Sequence, residues 1–426
     1  MNETEIKKER AILAGVHTGA LDVLSDTTEE TMAELARLAD TADAEVVATM
    51  IQNKSTIEKA TYLGEGKIEE LKNACKELAA DLVIFDDELS PMQIRNLEDA
   101  LGVHVVDRSM LILDIFARHA ESGEGKIQVE LAQLRYMLPR LTGLGTKLSR
   151  LGGGIGTRGP GETKLETDRR HIHRRISYLK EELEQVKKHR ELLRARRKKE
   201  NRYILALVGY TNAGKSTLLN TLTGAEVLAQ DKLFATLDPT MRGLTLSDKR
   251  EVTLVDTVGF IRKLPHHLIE AFKSTLEETV YADSLLIVAD GSDDEVDAHL
   301  AVVNNLLADL GAGDKPKLIC FNKMDALEKE RNFFTLAGDT PFIEISARNE
   351  DDIARLISKI EDVVPGKKRK VSLLIPFSKG QILSEIHNAQ TVLTEDYTAE
   401  GTAITCLLDA ASYNKYREFL TEDSTK

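Results

Sequence analysis

The sequence has few cysteines and no long apolar stretch. Its three cysteines, Cys75, Cys320 and Cys406, lie far apart and form no CxxC pair, which argues against a disulfide framework or a zinc ribbon and favours a reducing cytoplasm. We therefore expect three buried thiols that pack as small hydrophobic side chains. Because no run of about eighteen apolar residues occurs and the N-terminal segment lacks an apolar core, we expect neither a transmembrane helix nor a secretory signal.

What the sequence does have is length and an uneven distribution of charge. Its 426 residues are enough for about three domains, and a composition of 42% hydrophobic and 30% charged residues is typical of a globular protein. The net charge of −13 argues against nucleic-acid binding by the chain as a whole. Residues 169–199, however, carry 13 Lys and Arg against 4 Asp and Glu. The average charge therefore hides one strongly basic segment.

Residues 1–122 alternate short apolar runs with helical patterns. This alternation predicts a small α/β domain, in which helices cover a parallel sheet. The predicted strands are 11–16, 45–51, 82–85 and 103–106, and the predicted helices are 29–39, 66–79, 91–100 and 110–118. No nucleophile–base pair and no metal-ligand spacing is found in this segment. We interpret it as a scaffold or docking domain.

Residues 123–200 contain two helical segments whose apolar residues repeat with a heptad spacing. One stripe comprises Ile127, Leu131, Leu134 and Leu138, and the other comprises Ile172, Ile176, Leu179, Leu183 and Val186. Such stripes predict a long coiled-coil hairpin with antiparallel helices, although each alone could belong to an ordinary core. Pro139 is predicted to end the first helix.

A glycine-rich loop, residues 142–162, is predicted between the two helices. Loops of this length in compact domains are usually functional or disordered. Because the loop is positively charged and its side chains are small, it would suit a narrow space lined by phosphates. The alternative is a flexible surface loop. The candidate RNA contacts, in this loop and on the next helix, are Arg150, Arg158, Arg169 and Arg170.

Residues 201–364 carry the motifs that indicate chemistry. The first motif follows the apolar run 203–208, matches GxxxxGK[ST] and precedes a predicted helix. Its backbone N–H groups can face nucleotide phosphates at the positive end of that helix. Lys215 can reach the β and γ phosphates, and the Ser216 hydroxyl can bind Mg²⁺. The predicted nucleotide-binding residues here are Gly209, Tyr210, Thr211, Asn212, Ala213, Gly214, Lys215 and Ser216.

Two further segments are expected to respond to the third phosphate. The motif DxxG, made of Asp256, Thr257, Val258 and Gly259, brings a carboxylate near Mg²⁺ and a glycine N–H near the γ-phosphate. That contact holds a loop only until hydrolysis. We predict that Thr236 is a second Mg²⁺ ligand, with Thr240 as the alternative, and that Lys215, Thr236 and Gly259 act in catalysis. The upstream segment predicted to cover the nucleotide comprises Phe234, Ala235, Thr236, Leu237 and Asp238.

The last two motifs indicate guanine recognition. Asn322, Lys323, Met324 and Asp325 follow a predicted strand. The carboxylate of Asp325 can accept both N1–H and N2–H of guanine, whereas adenine would leave the charge unpaired. Asn322 and Lys323 would brace the loop and stack along the base. Downstream, the backbone of Ser346, Ala347 and Arg348 can contact the base carbonyl.

Residues 365–426 are predicted to form a small α+β domain after a basic linker at 367–370, which could also be read as a nuclear signal. The predicted strands are 371–376, 392–397 and 402–408, and the predicted helices are 379–390 and 411–420. No motif in this segment indicates a function.

The motifs resemble the P-loop GTPases of the translation-factor-related group, and the whole chain resembles the HflX family within that group. The resemblance rests on Gly64-Glu65-Gly66-Lys67, on residues 124–134, on the loop 153–162 and on residues 234–240. It implies an α/β fold with a P-loop GTPase domain, an N-terminal α/β domain, a helical hairpin and a C-terminal α+β domain. It also implies a GTPase that binds the large ribosomal subunit and, in some members, splits stalled ribosomes under stress.

Two residues bear on the rate of hydrolysis. Phe260 stands after the DxxG glycine, where Ras-like enzymes carry a glutamine that orients the attacking water. We therefore predict slow intrinsic hydrolysis that a partner accelerates. Asn212 stands where some P-loop GTPases use an asparagine to hold K⁺ beside the phosphates, and ordinary loop hydrogen bonding is the alternative.

The leading hypothesis is a ribosomal factor gated by GTP and Mg²⁺, cytoplasmic and monomeric when free. Its basic hairpin would engage RNA of the large subunit through salt-sensitive phosphate contacts. One alternative is a GTP-dependent RNA chaperone or assembly factor that acts on free RNA or precursor particles. Another is a coiled-coil scaffold that binds a protein under the control of GTP.

Overall fold

The computed structural model describes residues 8–19, 26–141, 160–199, 203–224, 233–234, 238–265, 268, 273–365 and 369–421. Arg150 and Arg158 of the glycine-rich loop lie outside the described residues, and so do Ala235, Thr236 and Leu237. Over the described ranges, no helix is both long enough and apolar enough to span a bilayer.

The N-terminal region forms the predicted parallel sheet with helices on its faces. Its strands are β1 (Glu9–His17), β2 (Ala44–Asn53), β3 (Leu82–Phe85) and β4 (His104–Asp107), in the order β2-β1-β3-β4, and its helices are α1 (Glu29–Thr41), α2 (Glu65–Glu77), α3 (Pro91–Leu101) and α4 (Arg108–His119). Helix α4 begins two residues earlier than predicted because the Asp107 carboxylate accepts the N–H of Met110 at 2.9 Å and caps the helix.

Two long helices follow, α5 (Gly123–Leu141) and α6 (Pro160–Lys199). The predicted apolar stripes pack against each other, with Leu131, Ile176 and Leu179 buried at the centre of the seam. The prediction that Pro139 ends α5 is wrong, because the helix continues to Leu141. A proline in the last turn removes only one helical hydrogen bond, so the turn can be completed.

The start of α6 also differs from the prediction. The glycine-rich pattern predicts a loop up to residue 162, whereas Pro160 is the first residue of the helix. Proline suits a first helical position, since its fixed φ matches the helix and its missing N–H needs no partner there.

The central region has the doubly wound architecture expected of a P-loop GTPase. Its strands are β5 (Tyr203–Val208), β6 (Thr240–Thr245), β7 (Glu251–Asp256), β8 (Ser284–Asp290), β9 (Lys317–Asn322) and β10 (Phe342–Glu344), in the order β10-β9-β8-β5-β7-β6. Only β6 runs antiparallel to its neighbour among these described strands. Its helices are α7 (Lys215–Thr223), α8 (Lys273–Tyr281), α9 (Val296–Asp309), α10 (Phe333–Ala337) and α11 (Glu350–Val363). The carboxyl ends of the parallel strands meet at one edge, where ligands bind in such folds.

The C-terminal region is an antiparallel sheet in the order β11-β13-β12 with helices on one face. Its elements are β11 (Arg369–Ile375), α12 (Gly380–Ala389), β12 (Thr391–Tyr397), β13 (Thr402–Leu408) and α13 (Ala410–Lys415). The predicted helix 411–420 is too long: α13 ends at Lys415 and a 3₁₀ turn follows. The chain then returns to the sheet, where the N–H of Thr421 donates to the carbonyl of Ser372 at 3.0 Å.

The three cysteines are buried free thiols, as predicted. Burial raises the pKa of Cys406 to about 11, and it also raises the pKa of Cys75 and of Cys320. A thiol with a raised pKa is a poor nucleophile, so these side chains act as core residues.

Candidate functional site

The P-loop connects β5 to α7 at the ligand-binding edge of the central sheet. Gly209 approaches β8 so closely that a Cβ atom on it would lie 2.1 Å from the carbonyl oxygen of Val288, which excludes any larger residue. Lys215, the first residue of α7, is 7% exposed. Its Nζ donates to the carbonyls of Gly209 at 3.1 Å and of Tyr210 at 2.9 Å. The ammonium group and the N-terminal end of α7 therefore lie together at the loop.

Ser216 and Asp256 form the part of the site that fits a metal ion. The Ser216 hydroxyl donates to Oδ2 of Asp256 at 2.7 Å, and Asp256 is fully buried at the end of β7. Hydroxyl and carboxylate oxygens are the donors that Mg²⁺ prefers. The described residues include no group of three or more His, Cys, Asp or Glu side chains that could hold a metal by themselves. Thr240, the alternative to Thr236, begins β6 and pairs in register with Asp256.

The DxxG segment lies directly against the P-loop. The N–H of Phe260 donates to the carbonyl of Gly209 at 3.1 Å, and the N–H of Thr211 donates to the carbonyl of Phe260 at 2.8 Å. A Cβ on Gly259 would lie 2.7 Å from the Cγ2 of Thr211 and 3.0 Å from the Nζ of Lys215. Thr257 and Val258, between Asp256 and Gly259, are buried. Glycine is therefore the only residue type that fits at position 259, so close to Thr211 and Lys215.

The side chain of Phe260 belongs to the hydrophobic core. It is 1% exposed and belongs to an apolar cluster that contains Ala206 and Leu276. A glutamine at this position would bury an amide group in that core. The position that carries glutamine in Ras-like enzymes is therefore part of the hydrophobic core in this fold. Groups that orient the attacking water must come from other residues.

The guanine-recognition motifs and one side of the P-loop line a single pocket of about 360 Å³. Asn322 fixes its walls: its Nδ2 donates to the carbonyl of Ala213 at 3.0 Å, and its Oδ1 accepts the N–H of Ala347 at 2.9 Å. Lys323 pairs with Asp290 at 2.7 Å. The predicted residues that line the pocket are Asn212, Gly214, Asn322, Lys323, Asp325, Ser346, Ala347 and Arg348, and the 3₁₀ turn that begins at Met324 carries Asp325.

A second, small cavity of about 20 Å³ lies behind the P-loop and is lined by Tyr210, Thr211 and His299 among others. Within the described part of the chain, the Thr211 hydroxyl and Nε2 of His299 have no hydrogen-bond partner. A cavity of this size holds one water molecule.

Two residues predicted to contact the nucleotide lie elsewhere. Phe234 is 3% exposed and packs edge-on against Phe116 of α4, with 4.7 Å between the ring centroids. Asp238 accepts the N–H groups of Glu121 at 3.0 Å and of Ser122 at 2.7 Å, as well as the Ser122 hydroxyl. Burial in a hydrophobic core stabilises the apolar ring of Phe234 more than a place beside phosphates would. The carboxylate of Asp238 is stabilised by the N–H groups at the start of a helix.

A set of buried charged residues behind the P-loop could not be recognised from the sequence. It comprises Glu34, Asp86, Arg108, Arg262 and Lys263. One signal was available, because two acidic residues directly follow the apolar strand β3 at the carboxyl edge of a parallel sheet. The partners of these residues are far apart in sequence, so no local pattern could reveal the pairing.

The predicted RNA contacts that the structure describes, Arg169 and Arg170, are exposed on α6. Further exposed basic residues follow on the same helix: Arg174, Lys180 and Lys188. The side of α6 opposite the apolar seam therefore carries positive charge.

Comparison with known proteins agrees with this geometry. The family model described as "50S ribosome-binding GTPase" matches residues 204–323, and models described as "GTP-binding GTPase N-terminal" and "GTP-binding GTPase Middle Region" match residues 29–117 and 119–197. The chain is 52% identical over 420 residues to GTPase HflX of Caldanaerobacter subterraneus subsp. tengcongensis, which covers 99% of this chain and 96% of the relative. The chain belongs to the HflX family of GTPases.

A second HflX relative, from Lacrimispora saccharolytica, is 50% identical and covers 92% of each chain. Among solved structures, a GTP-binding protein from Sulfolobus solfataricus in complex with GDP is 27% identical, covers 83% of this chain and 99% of that chain, and has a TM-score of 0.45. As an HflX GTPase, the protein binds guanine nucleotides and hydrolyses GTP.

The buried Lys215 leads to a prediction about pH. Burial lowers the pKa of its ammonium group to about 8, against the opposing effect of Asp256. Nucleotide phosphates favour the charged form of the lysine and would raise this pKa. Nucleotide binding should therefore take up a proton when the pH exceeds about 8. Nucleotide affinity should fall as the pH rises further. Calorimetric titration at about pH 9, in two buffers of different ionisation enthalpy, measures the uptake. A Lys215→Arg variant should show a clearly smaller uptake, limited to the proton that binding returns to N1 of guanine. An equal uptake in the two proteins would contradict the prediction.

Proposed function

We propose that this GTPase binds the large ribosomal subunit in its GTP-bound state and splits or rescues stalled ribosomes. Its site of action would be the cytoplasm, and the free protein would be a monomer. The observation that carries the proposal is the contact between Asp238 and the start of α5. It links the segment predicted to cover the nucleotide to the base of a basic helical hairpin.

The hairpin suits RNA through its charge. Exposed basic side chains lie along one side of α6, and the apolar side of the same helix packs on α5. Phosphate contacts from such a surface contribute most of the affinity for RNA and weaken as the salt concentration rises. The match to a family model described as a 50S ribosome-binding GTPase supports the large subunit as the partner.

Two contacts connect the base of the hairpin to the GTPase region. Ser122 caps α5, since its hydroxyl accepts the N–H of Gly125 at 2.8 Å, and Asp238 holds Ser122. On the other helix, Arg190 pairs with Glu124 of α5 and lies 3.9 Å from Glu277 of α8. A movement of the nucleotide-covering segment would therefore be passed to α5 through Ser122, and from α5 to the second helix through the pair of Glu124 and Arg190.

We assign the chemistry to the motifs at the sheet edge. Lys215 and the N–H of Gly259 would contact the third phosphate, and Ser216 and Thr236 would hold Mg²⁺ near Asp256. When bound, Mg²⁺ neutralises charge that develops on the phosphates. Because Phe260 cannot orient water, hydrolysis would be slow until the ribosome, or a K⁺ ion held by Asn212, completes the site.

Replacing Asp238 by alanine is expected to uncouple the hairpin from the nucleotide. The variant loses the carboxylate that holds Ser122, so the difference in large-subunit affinity between a GTP analogue and GDP should shrink about tenfold. Affinity for the nucleotides themselves should change by less than about twofold. Sedimentation with purified large subunits and fluorescent-nucleotide titration measure the two effects.

Asp339→Ala is the matched control, because Asp339 is an exposed aspartate of the same region. It should leave both quantities unchanged. An Asp238→Ala variant that keeps the full nucleotide dependence of ribosome binding would contradict the proposed coupling. Tighter binding to protein-free ribosomal RNA than to intact subunits would favour an RNA chaperone or assembly factor instead.

A further inference from the structure

A buried charged network joins the N-terminal sheet to the GTPase region. It contains Glu34 of α1, Asp86 after β3 and Arg108 at the start of α4, each no more than 2% exposed. Arg108 pairs with Glu34 and, at 2.8 Å, with Asp86. It also donates to the carbonyl of Arg262, in the segment after the DxxG motif, at 3.2 Å. The N-terminal region therefore contacts the segment that follows the DxxG motif, whose glycine we propose contacts the third phosphate.

Tyr210 connects this network to the P-loop. Its hydroxyl donates to Glu34 and accepts the N–H of Arg262 at 2.8 Å. Its ring stacks on His299 with 3.9 Å between centroids. Burial and the adjacent Glu34 carboxylate raise the pKa of Tyr210 well above its usual value, so the phenol stays protonated and remains a donor. The second residue of the P-loop is thereby held by a helix of the N-terminal sheet.

Lys263 supplies the charge that the N-terminal residues lack. Glu34 and Asp86 carry two negative charges against the single positive charge of Arg108. The Nζ of Lys263 lies 2.6 Å from Asp86 and 2.8 Å from Asp87, and the lysine side chain is 8% exposed. A buried charge without a counter-charge is strongly destabilising. Lys263 therefore supplies a counter-charge to Asp86 that Arg108, shared with Glu34, does not provide alone.

Docking of Lys263 restrains Gly259, four positions earlier in the chain. Between them, Phe260 is buried in the core and its N–H is bonded to the carbonyl of Gly209. Lys263 also adopts a positive φ of 50°, a conformation that a non-glycine residue keeps only when its surroundings impose it. Gly259 is thus held beside Lys215 by the P-loop on one side and by the N-terminal sheet on the other.

We propose that Glu34 and Asp86 are positioning residues for GTP hydrolysis, which act on the P-loop through Tyr210 and on Gly259 through Lys263. A segment held in place before the ligand arrives loses less conformational freedom on binding, so its contacts are stronger. GDP lacks the phosphate that Gly259 would contact. The network therefore favours GTP over GDP, and this inference rests on the role of Gly259 proposed above but not on ribosome binding.

The test is Lys263→Met, which keeps an unbranched side chain and removes the ammonium group. Affinity for a non-hydrolysable GTP analogue should fall at least about tenfold, affinity for GDP should stay within about twofold, and kcat for GTP should fall with the GTP affinity. Lys249→Met is the matched control, because Lys249 is exposed in the same region and has a similar φ of 62°. It should change none of these values.

Tyr210→Phe provides a second variant, since it keeps the ring on His299 and removes both hydroxyl contacts. It should weaken binding of the GTP analogue more than binding of GDP, because its hydroxyl holds Arg262, next to Lys263, as well as the P-loop. It decides the question if thermal unfolding shows that Lys263→Met is not folded. Equal losses for the GTP analogue and GDP would overturn the proposal, because they would reveal a purely structural role. Unchanged affinities would also overturn it. So would a gain in GTP affinity, which would mean that the network holds Gly259 away from the third phosphate.

Discussion

Replacing Asp325 by asparagine is expected to shift the nucleotide preference from guanosine to xanthosine. The carboxylate would accept two hydrogen bonds, from N1–H and N2–H of guanine, whereas an amide could accept only one of them while its NH₂ group opposes the other. Hydrogen bonds to a charged group contribute about 1.5–3 kcal/mol each, so GTP affinity should fall about 100-fold or more. Xanthine has a carbonyl in place of the amino group, which the new NH₂ group can bind.

The structure supports this result because the pocket wall itself should survive the substitution. Asp325 is exposed at the pocket of about 360 Å³, whereas the loop is fixed by Asn322 and by Lys323. Competition titration with GTP, XTP and ATP measures the preference. Asp339→Asn is the control, since Asp339 is exposed outside the pocket lining. A variant that binds GTP as tightly as the unmodified protein would show that base recognition does not depend on Asp325.

Neutralising the basic face of α6 should produce the second large effect, a loss of large-subunit binding. Replacing Arg169, Arg170 and Arg174 by glutamine removes three exposed charges and leaves the apolar seam intact. If each arginine contacts a phosphate, the slope of log affinity against log salt concentration should fall by about 2 to 3, and affinity at low salt should drop about 100-fold. GTP hydrolysis without ribosomes should not change, because these residues belong to the hairpin and none of them lines the nucleotide pocket.

A matched control replaces Glu181 and Glu184 by glutamine, since both are exposed on the same helix and carry the opposite charge. This variant should bind large subunits at least as tightly as the unmodified protein. Sedimentation across a series of salt concentrations measures affinity and slope together. An unchanged slope in the arginine variant would contradict RNA binding by this face of the hairpin.

Nucleotide-binding motifs could be predicted because they are local. Each follows a buried strand, and parallel strands bring their carboxyl ends to one edge, so Lys215, Asp256 and Asp325 fall near the same cleft once the strands are recognised. The hairpin could be predicted for a similar reason, because two apolar heptad stripes that are close in sequence can bury each other. The remaining errors at helix ends, such as the one at Pro139, concern single turns.

The contacts between regions could not be predicted. Phe234 packs on Phe116, Asp238 holds Ser122 and Lys263 neutralises Asp86, and each pair is separated by more than 100 positions in the sequence. The amino-acid sequence does not distinguish a buried lysine from an exposed one. Long-range charge balance is visible only after the chain has folded.

Coupling between the nucleotide and the hairpin is tested by the dependence of ribosome binding on the bound nucleotide. The unmodified protein is sedimented with purified large subunits in the presence of a non-hydrolysable GTP analogue, GDP or no nucleotide. We expect affinity at least about tenfold higher with the analogue than in the other two states. Equal affinity in all three states would contradict it, because the third phosphate would then have no influence on the hairpin.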